Sequence, residues 1–126
     1  MKKVEIIVEC TNTGYSAYAE KYAVFTTGSN LAELKANILE ALNLYFEEQE
    51  IIIAEKDLKI TLDLPQFFQF YKVINAKALS EHIGMNQSLL AQYIIGAKKP
   101  SSTQTKRILH GVQKIGRELA EIHFFL

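Results

Sequence analysis

The sequence predicts an α+β chain, with a β-β-β-α-β half over residues 1–64 followed by an all-α helix-turn-helix half over residues 66–126. Apolar residues recur at every second position in the opening segments, and at steps of three and four in the middle and toward the end. Pro65 separates a strand-like stretch from a run of short helices. The charge divides at the same place. Residues 1–65 hold six Lys against eleven Asp or Glu, a net of −5, whereas residues 66–126 hold eight Lys or Arg against three Glu, a net of +5. Such an asymmetry predicts two modules with different partners, of which only the basic one attracts a polyanion.

In residues 2–10, Val4, Ile6, Val8 and Cys10 share one face while Glu5 and Glu9 lie on the other, the period of a half-buried strand. Residues 11–14 form a turn, with Gly14 free to take positive φ. Residues 15–20 and 23–27 are β-prone runs that complete a three-stranded antiparallel meander. Gly28, Ser29 and Asn30 then open a helix. Asn30 with Glu33 has capping-box spacing, with Ser29 as the alternative cap. Leu31, Leu34, Ile38, Leu42 and Tyr45 draw its apolar stripe, which ends near Glu47, Glu48 and Glu50. Residues 51–57 read as neither helix nor strand. Leu58, Ile60, Leu62 and Leu64 alternate as a fourth strand, closed by Pro65.

Beyond Pro65, the aromatic-rich residues 66–73 suit a helix packed on later ones. Asn75 caps a helix through Ile83, Asn86 caps another over residues 87–95, and Ser101 with Gln104 caps a last long one. In that helix Ile108, Val112, Ile115, Leu119 and Ile122 form a stripe, weakened at Gly111 and Gly116 by about 1 kcal/mol each relative to Ala.

Composition excludes several classes. An apolar fraction of 48% is too high for disorder. A single cysteine, Cys10, forbids an internal disulfide and fits a reducing compartment. No apolar run is long enough to span a bilayer. Glu5 and Glu9 interrupt what would otherwise resemble a leader after Lys2 and Lys3, so a cytoplasmic location is expected. No His82, His110 or His123 spacing suits a metal, and no Ser or Cys has an activating partner. Glu5, Glu9, Glu48 and Asp57 belong to no recognisable two-metal motif. Neither catalysis nor a cofactor is expected.

The informative segment spans residues 76–102. Leu79 and Ile83 face a partner helix, Ser80 is small enough for close approach, and Gly84 supplies a left-handed residue at the turn. Met85 tucks inward, and Leu90 with Tyr93 or Ile94 buries the inner face of the next helix. Gln87, Ser88 and Gln92 are left outward. Gln amides match the N6 and N7 edge of adenine, and Ser bonds base or phosphate. Asn86 leaves the helix N-terminus facing a phosphate. Lys98 and Lys99 follow in a loop suited to backbone contacts. The expected partner is duplex DNA read by a homodimer or higher oligomer.

Residues 66–122, with Ile83-Gly84-Met85, Gln87-Ser88 and then Lys98-Lys99-Pro100-Ser101, resemble the Cro/repressor (Xre-like) helix-turn-helix family. Ser80 stands where that family usually has Ala. The first half resembles the HicB antitoxin family through Gly14-Tyr15-Ser16-Ala17-Tyr18, Thr26-Thr27-Gly28-Ser29 and the helix from Leu31 to Leu42, although residues 20–25 differ from that family's usual Pro-Gly-Cys-like turn. This second resemblance implies a partial RNase H-like domain that caps a small, HicA-like RNA-cleaving toxin, and a repressor of the protein's own operon. Tyr15, Tyr18, Glu47, Glu48 and Glu50 are candidate partner contacts, although a strand Tyr is more often sheet packing and a Glu run more often a solvated helix end. The alternatives are a stand-alone regulator, a protein-interaction module without a toxin, or RNA stacking on Tyr15, Tyr18 and Phe25. The acidic charge of that half opposes the last.

Overall fold

Alternation in the opening residues does build a strand. In the computed structural model, which describes residues 2–126, β1 (Val4–Thr11) buries Val4, Ile6, Val8 and Cys10 and turns Glu5, Ile7 and Glu9 the other way. A turn at Asn12 and Thr13 leads into β2 (Gly14–Ala19), and Gly14 takes φ +140°, open only to glycine at no cost. β3 (Phe25–Gly28) completes the antiparallel meander, pairing Tyr18 with Phe25 and Tyr15 with Gly28.

Asn30 is the cap of α1 (Leu31–Tyr45), its Oδ1 accepting from the Glu33 N–H at 2.8 Å. Ser29 adds a second tie, its hydroxyl donating to the Glu33 carboxylate at 2.6 Å. Leu34, Ile38 and Leu42 bury against Ile6, Val8, Ala17 and Ala19. The expected stripe was too long. Leu31 and Tyr45, at the two ends of the helix, are 60% and 45% exposed, and Phe46 is buried in place of Tyr45. Gly28 brings β3 so near α1 that a Cβ there would lie 2.6 Å from the Leu34 Cα.

A parallel partner for β1 needs a long crossover. α1 and the segment after it supply one, so β4 (Leu58–Leu62) pairs with β1 in parallel and the sheet order is β3-β2-β1-β4. Asn43 pins the irregular stretch between them. Its amide donates to the Ile53 carbonyl at 3.0 Å and its Oδ1 accepts from the Ile53 N–H at 2.7 Å. Ile60 is in register with Ile6 but remains 44% exposed on this edge strand.

The fourth strand stops two residues earlier than its alternation suggested. Asp63 accepts from the Gln66 N–H at 3.1 Å, turning Leu64 into the first residue of α2 (Leu64–Phe70), with Pro65 tolerated in its first turn. α2 is shorter than the helix expected over 66–73 and packs against β1. Gln66 explains the attachment. Its side-chain amide donates to the Cys10 carbonyl and accepts from the Cys10 N–H, both at 2.8 Å, replacing the strand that β4 no longer provides. Compactness accordingly groups the chain through Phe70 as a sheet unit and Tyr71–Leu126 as a helical unit.

Gln66→Ala is expected to strand both Cys10 backbone groups and to destabilise the sheet unit by about 1–3 kcal/mol. Urea unfolding followed by circular dichroism measures it, and a change below about 0.5 kcal/mol contradicts the bridging role.

In the helical unit, α3 (Ala76–Ile83), α4 (Gln87–Ile94) and α5 (Ser102–Ala120) follow in order, with a 3₁₀ turn over Glu121–Phe125. All three expected caps are present: Asn75 accepts from the Ala78 N–H, Asn86 from Leu89 and Ser101 from Gln104. Leu79, Leu90 and Ile108 are almost wholly buried, joined by Met85 and Tyr93. Gly111 is a contact point as well as a weak helix former. A Cβ there would overlap Ile83 Cγ2, so α5 meets α3 where no side chain intervenes. The chain is thus of mixed α+β class, a four-stranded mixed sheet and five α-helices among the described residues. No helix among them is long and apolar enough to cross a membrane.

Candidate nucleic-acid interface

The turn between α3 and α4 is held from three sides. Gly84 adopts φ +67° and ends α3, and the Met85 N–H donates back to the Ser80 carbonyl at 2.9 Å. The third hold comes from α5, where the Arg107 guanidinium donates to the carbonyls of Ile83 and Gly84 at 3.1 and 3.2 Å. Gln104 steadies that guanidinium at 2.9 Å. Ser80, buried at 2% exposure, satisfies its hydroxyl on the Lys77 carbonyl at 2.6 Å, so Ser is tolerated where only a small residue fits.

On this frame α4 is anchored by Leu90 and Tyr93, and of the two candidates for the second anchor Tyr93 is the buried one. The opposite face carries Gln87, Ser88, Ala91, Gln92 and, just past the helix, Ile95, all exposed. Ala91 and Ile95 were missed by the sequence reading. They lie four and eight residues after Gln87, on the same face, and offer apolar contacts of the kind a thymine methyl accepts. Asn86 is occupied with the Leu89 N–H at 3.1 Å, so its side chain serves first as a cap.

Gly96, at φ +79°, redirects the chain so that the Lys98 N–H returns to the Gln92 carbonyl at 3.2 Å. The first lysine is thereby fixed to the end of the outward face, and both Lys98 and Lys99 are exposed. Arg107 is the other residue the sequence missed. Only its spacing of three from Gln104 was visible, and its reach across more than twenty residues was not.

The sheet unit treats its candidates unequally. Tyr15 and Tyr18 lie three positions apart on a strand and so on opposite faces. Tyr15 packs against the core beneath α1, which argues against its use as a partner contact, whereas Tyr18 is 40% exposed beside Phe25, itself 66% exposed. Partial desolvation, and then the carboxylates of Asp63, Glu9 and Glu20, hold the Tyr18 phenol above its ordinary range. Glu47 and Glu48 lie exposed in a 3₁₀ turn after α1, and Glu50 closes it at φ 57°.

Comparison with family models, with curated proteins and with solved structures returns no match. Among the described residues no three His, Cys, Asp or Glu side chains gather as a metal site would require. Glu5 faces Lys59 across the strands at 3.8 Å, and Asp57 accepts from the Ala54 N–H. Cys10 is buried, and desolvation pushes its thiol up, away from the reactive thiolate.

Proposed function

We propose that this protein is a DNA-binding transcriptional regulator, with α3 and α4 acting as a helix-turn-helix and α4 as the helix that enters the major groove. The observation that carries the reading is the exposed face of Gln87, Ser88, Ala91, Gln92 and Ile95 on a helix whose other face is locked by Leu90 and Tyr93. Short polar and small apolar side chains on a rigid mount are what base edges accept, and a solvated surface helix more usually presents Glu and Lys. Lys98 and Lys99 supply the phosphate contacts that set register, and the +5 charge of residues 66–126 supplies long-range attraction.

A mobility-shift assay on the DNA immediately upstream of the protein's own coding sequence tests this. A complex that survives excess scrambled competitor is expected. Gln87→Ala and Gln92→Ala are each expected to weaken it by about tenfold, within the 1–3 kcal/mol of a bidentate base contact, and to leave nonspecific binding unchanged. No complex even at low salt would refute the reading.

The sheet unit, in this proposal, binds a small basic toxin, so the whole chain is an antitoxin of the type II kind acting in the cytoplasm. Support comes from the resemblance to HicB antitoxins, the −5 charge of residues 1–65, and the exposed Tyr18 and Phe25 near Glu9, Glu20 and Asp63. Glu47 and Glu48, exposed after α1, add to the acidic character of this unit. Purification from the native host is expected to bring down a basic chain encoded next to this one, and its absence leaves a stand-alone regulator.

A further inference from the structure

The stripe on α5 outruns the core it was expected to join. Ile108 is fully buried and Val112 and Ile115 are half-buried, but Leu119 and Ile122 are 59% and 52% exposed. Beside the outer half of that stripe lies an apolar groove of about 370 Å³. α3 gives one bank through Ala78, Leu79 and His82, α5 gives the other, and Val73 with Ile74 closes an end. Gly116 sits on the rim, where a Cβ would meet nothing within 4 Å. Past α5 the 3₁₀ turn carries an apolar projection. Phe124, Phe125 and Leu126 are 90%, 85% and 97% exposed, the two rings packed edge to face at 6.1 Å.

We infer that the helical unit self-associates, the groove between α3 and α5 of one copy receiving Phe124 and Phe125 of a second copy. The projection does not fill its own groove: neither Phe124 nor Phe125 is among the residues that line it, and both rings stay exposed. A concave and a convex apolar feature on one chain, left apart within it, are satisfied by a two-fold exchange in which each copy gives and receives. The area suffices. Val73, Leu119, Ile122, Phe124, Phe125 and Leu126, over the two features together, expose on the order of 800 Å², about what one partner contributes to a stable interface. The groove bears no acid and only His82 as a base, so nothing in it selects a charged foreign partner. This inference deepens the DNA-binding reading, on which it rests for its purpose: a two-fold pair of α4 helices reads a palindrome.

Sedimentation equilibrium of the full chain across the micromolar range tests it. A mass twice 14.3 kDa is expected. Phe124→Asp combined with Phe125→Asp removes the projection, and Ala78→Arg, at an exposed position, blocks the groove. Each is expected to weaken dimerisation at least about 100-fold, with an unchanged circular dichroism spectrum confirming the monomer fold and a melting temperature that no longer rises with protein concentration. An equimolar mixture of the two variants is expected to recover a heterodimer, because one intact groove then faces one intact projection. A monomeric wild type, a dimer indifferent to both variants, or a mixture that recovers nothing would each overturn the inference. The mobility shift separates the two readings. A monomer that still shifts its operator leaves DNA binding standing without this interface, and a dimer that shifts nothing does the reverse.

Discussion

Reversing Lys98 and Lys99 to Glu is expected to abolish measurable DNA binding at physiological salt and to lower affinity at least about 100-fold at low salt. The cause is electrostatic and independent of sequence. Each lysine that neutralises a phosphate releases a condensed counterion, so the logarithm of affinity falls with the logarithm of salt by about 0.9 per contact. Four such lysines in a dimer account for a slope of roughly 3 to 4. A milder change, Lys98→Gln with Lys99→Gln, should therefore make the salt dependence shallower by that amount while leaving the preference for operator over scrambled DNA intact. Both lysines are exposed, and Lys98 is tethered through its backbone to Gln92, so neither substitution disturbs the helix mount. Fluorescence anisotropy over a salt series reads the slope, and an unchanged slope would remove these lysines from the interface.

The second large effect concerns stability. Gly111 and Gly116 sit five residues apart on one helix, and intrinsic propensity alone predicts that Ala at either stabilises by about 1 kcal/mol. Packing reverses the sign at one of them. At Gly111 the added methyl overlaps Ile83 Cγ2, with Leu79 Cδ1 3.6 Å away. Ile83 cannot swing clear, because a β-branched side chain in a helix has one strongly favoured χ1 rotamer. α3 must then shift against α5, at a cost of about 1–3 kcal/mol. Gly111→Ala is expected to be net destabilising, and Gly116→Ala, with open space around its Cβ, stabilising. The two variants should differ by that packing cost, about 1–3 kcal/mol, on the order of 10 °C in melting temperature for a unit this small. Thermal melts at one protein concentration check it, and equal behaviour of the pair would mean that α3 and α5 do not approach this closely. The Gly111 variant should also lose DNA affinity, since Arg107 on α5 braces the turn that aims α4.

The reach of the sequence is clear at particular residues. Short-range features were legible because their causes are local. Asn30, Asn75, Asn86 and Ser101 cap the helices they precede, and Val4, Ile6, Val8 and Cys10 bury as their alternation requires. The outward face of α4 could be drawn at Gln87, Ser88 and Gln92 because Leu90 and Tyr93 define its opposite. Tyr15 and Tyr18 are separable by the parity of strand positions alone, one facing the core and the other away from it. Long-range features were not legible. Gln66 lies 56 residues from Cys10, and nothing near it in the chain indicates that its amide completes β1. The parallel pairing of β4, the reach of Arg107 and the close approach at Gly111 likewise depend on where other elements come to rest. Leu31, Tyr45, Leu119 and Ile122 show the converse error. Periodicity gives the direction of a helix face but not how far its cover extends.

Gln66 has one more consequence. A sheet whose outermost strand ends early leaves a rung of the neighbouring strand open, and an open rung is where a stray extended peptide can attach. Here the next rung of β1, at Cys10, is already taken by a side chain anchored in α2, which has no further backbone valence to offer. That corner of the ladder is closed to polymerisation, and a chain lacking the amide is expected, besides its lower stability, to give a larger insoluble fraction during synthesis than the wild type.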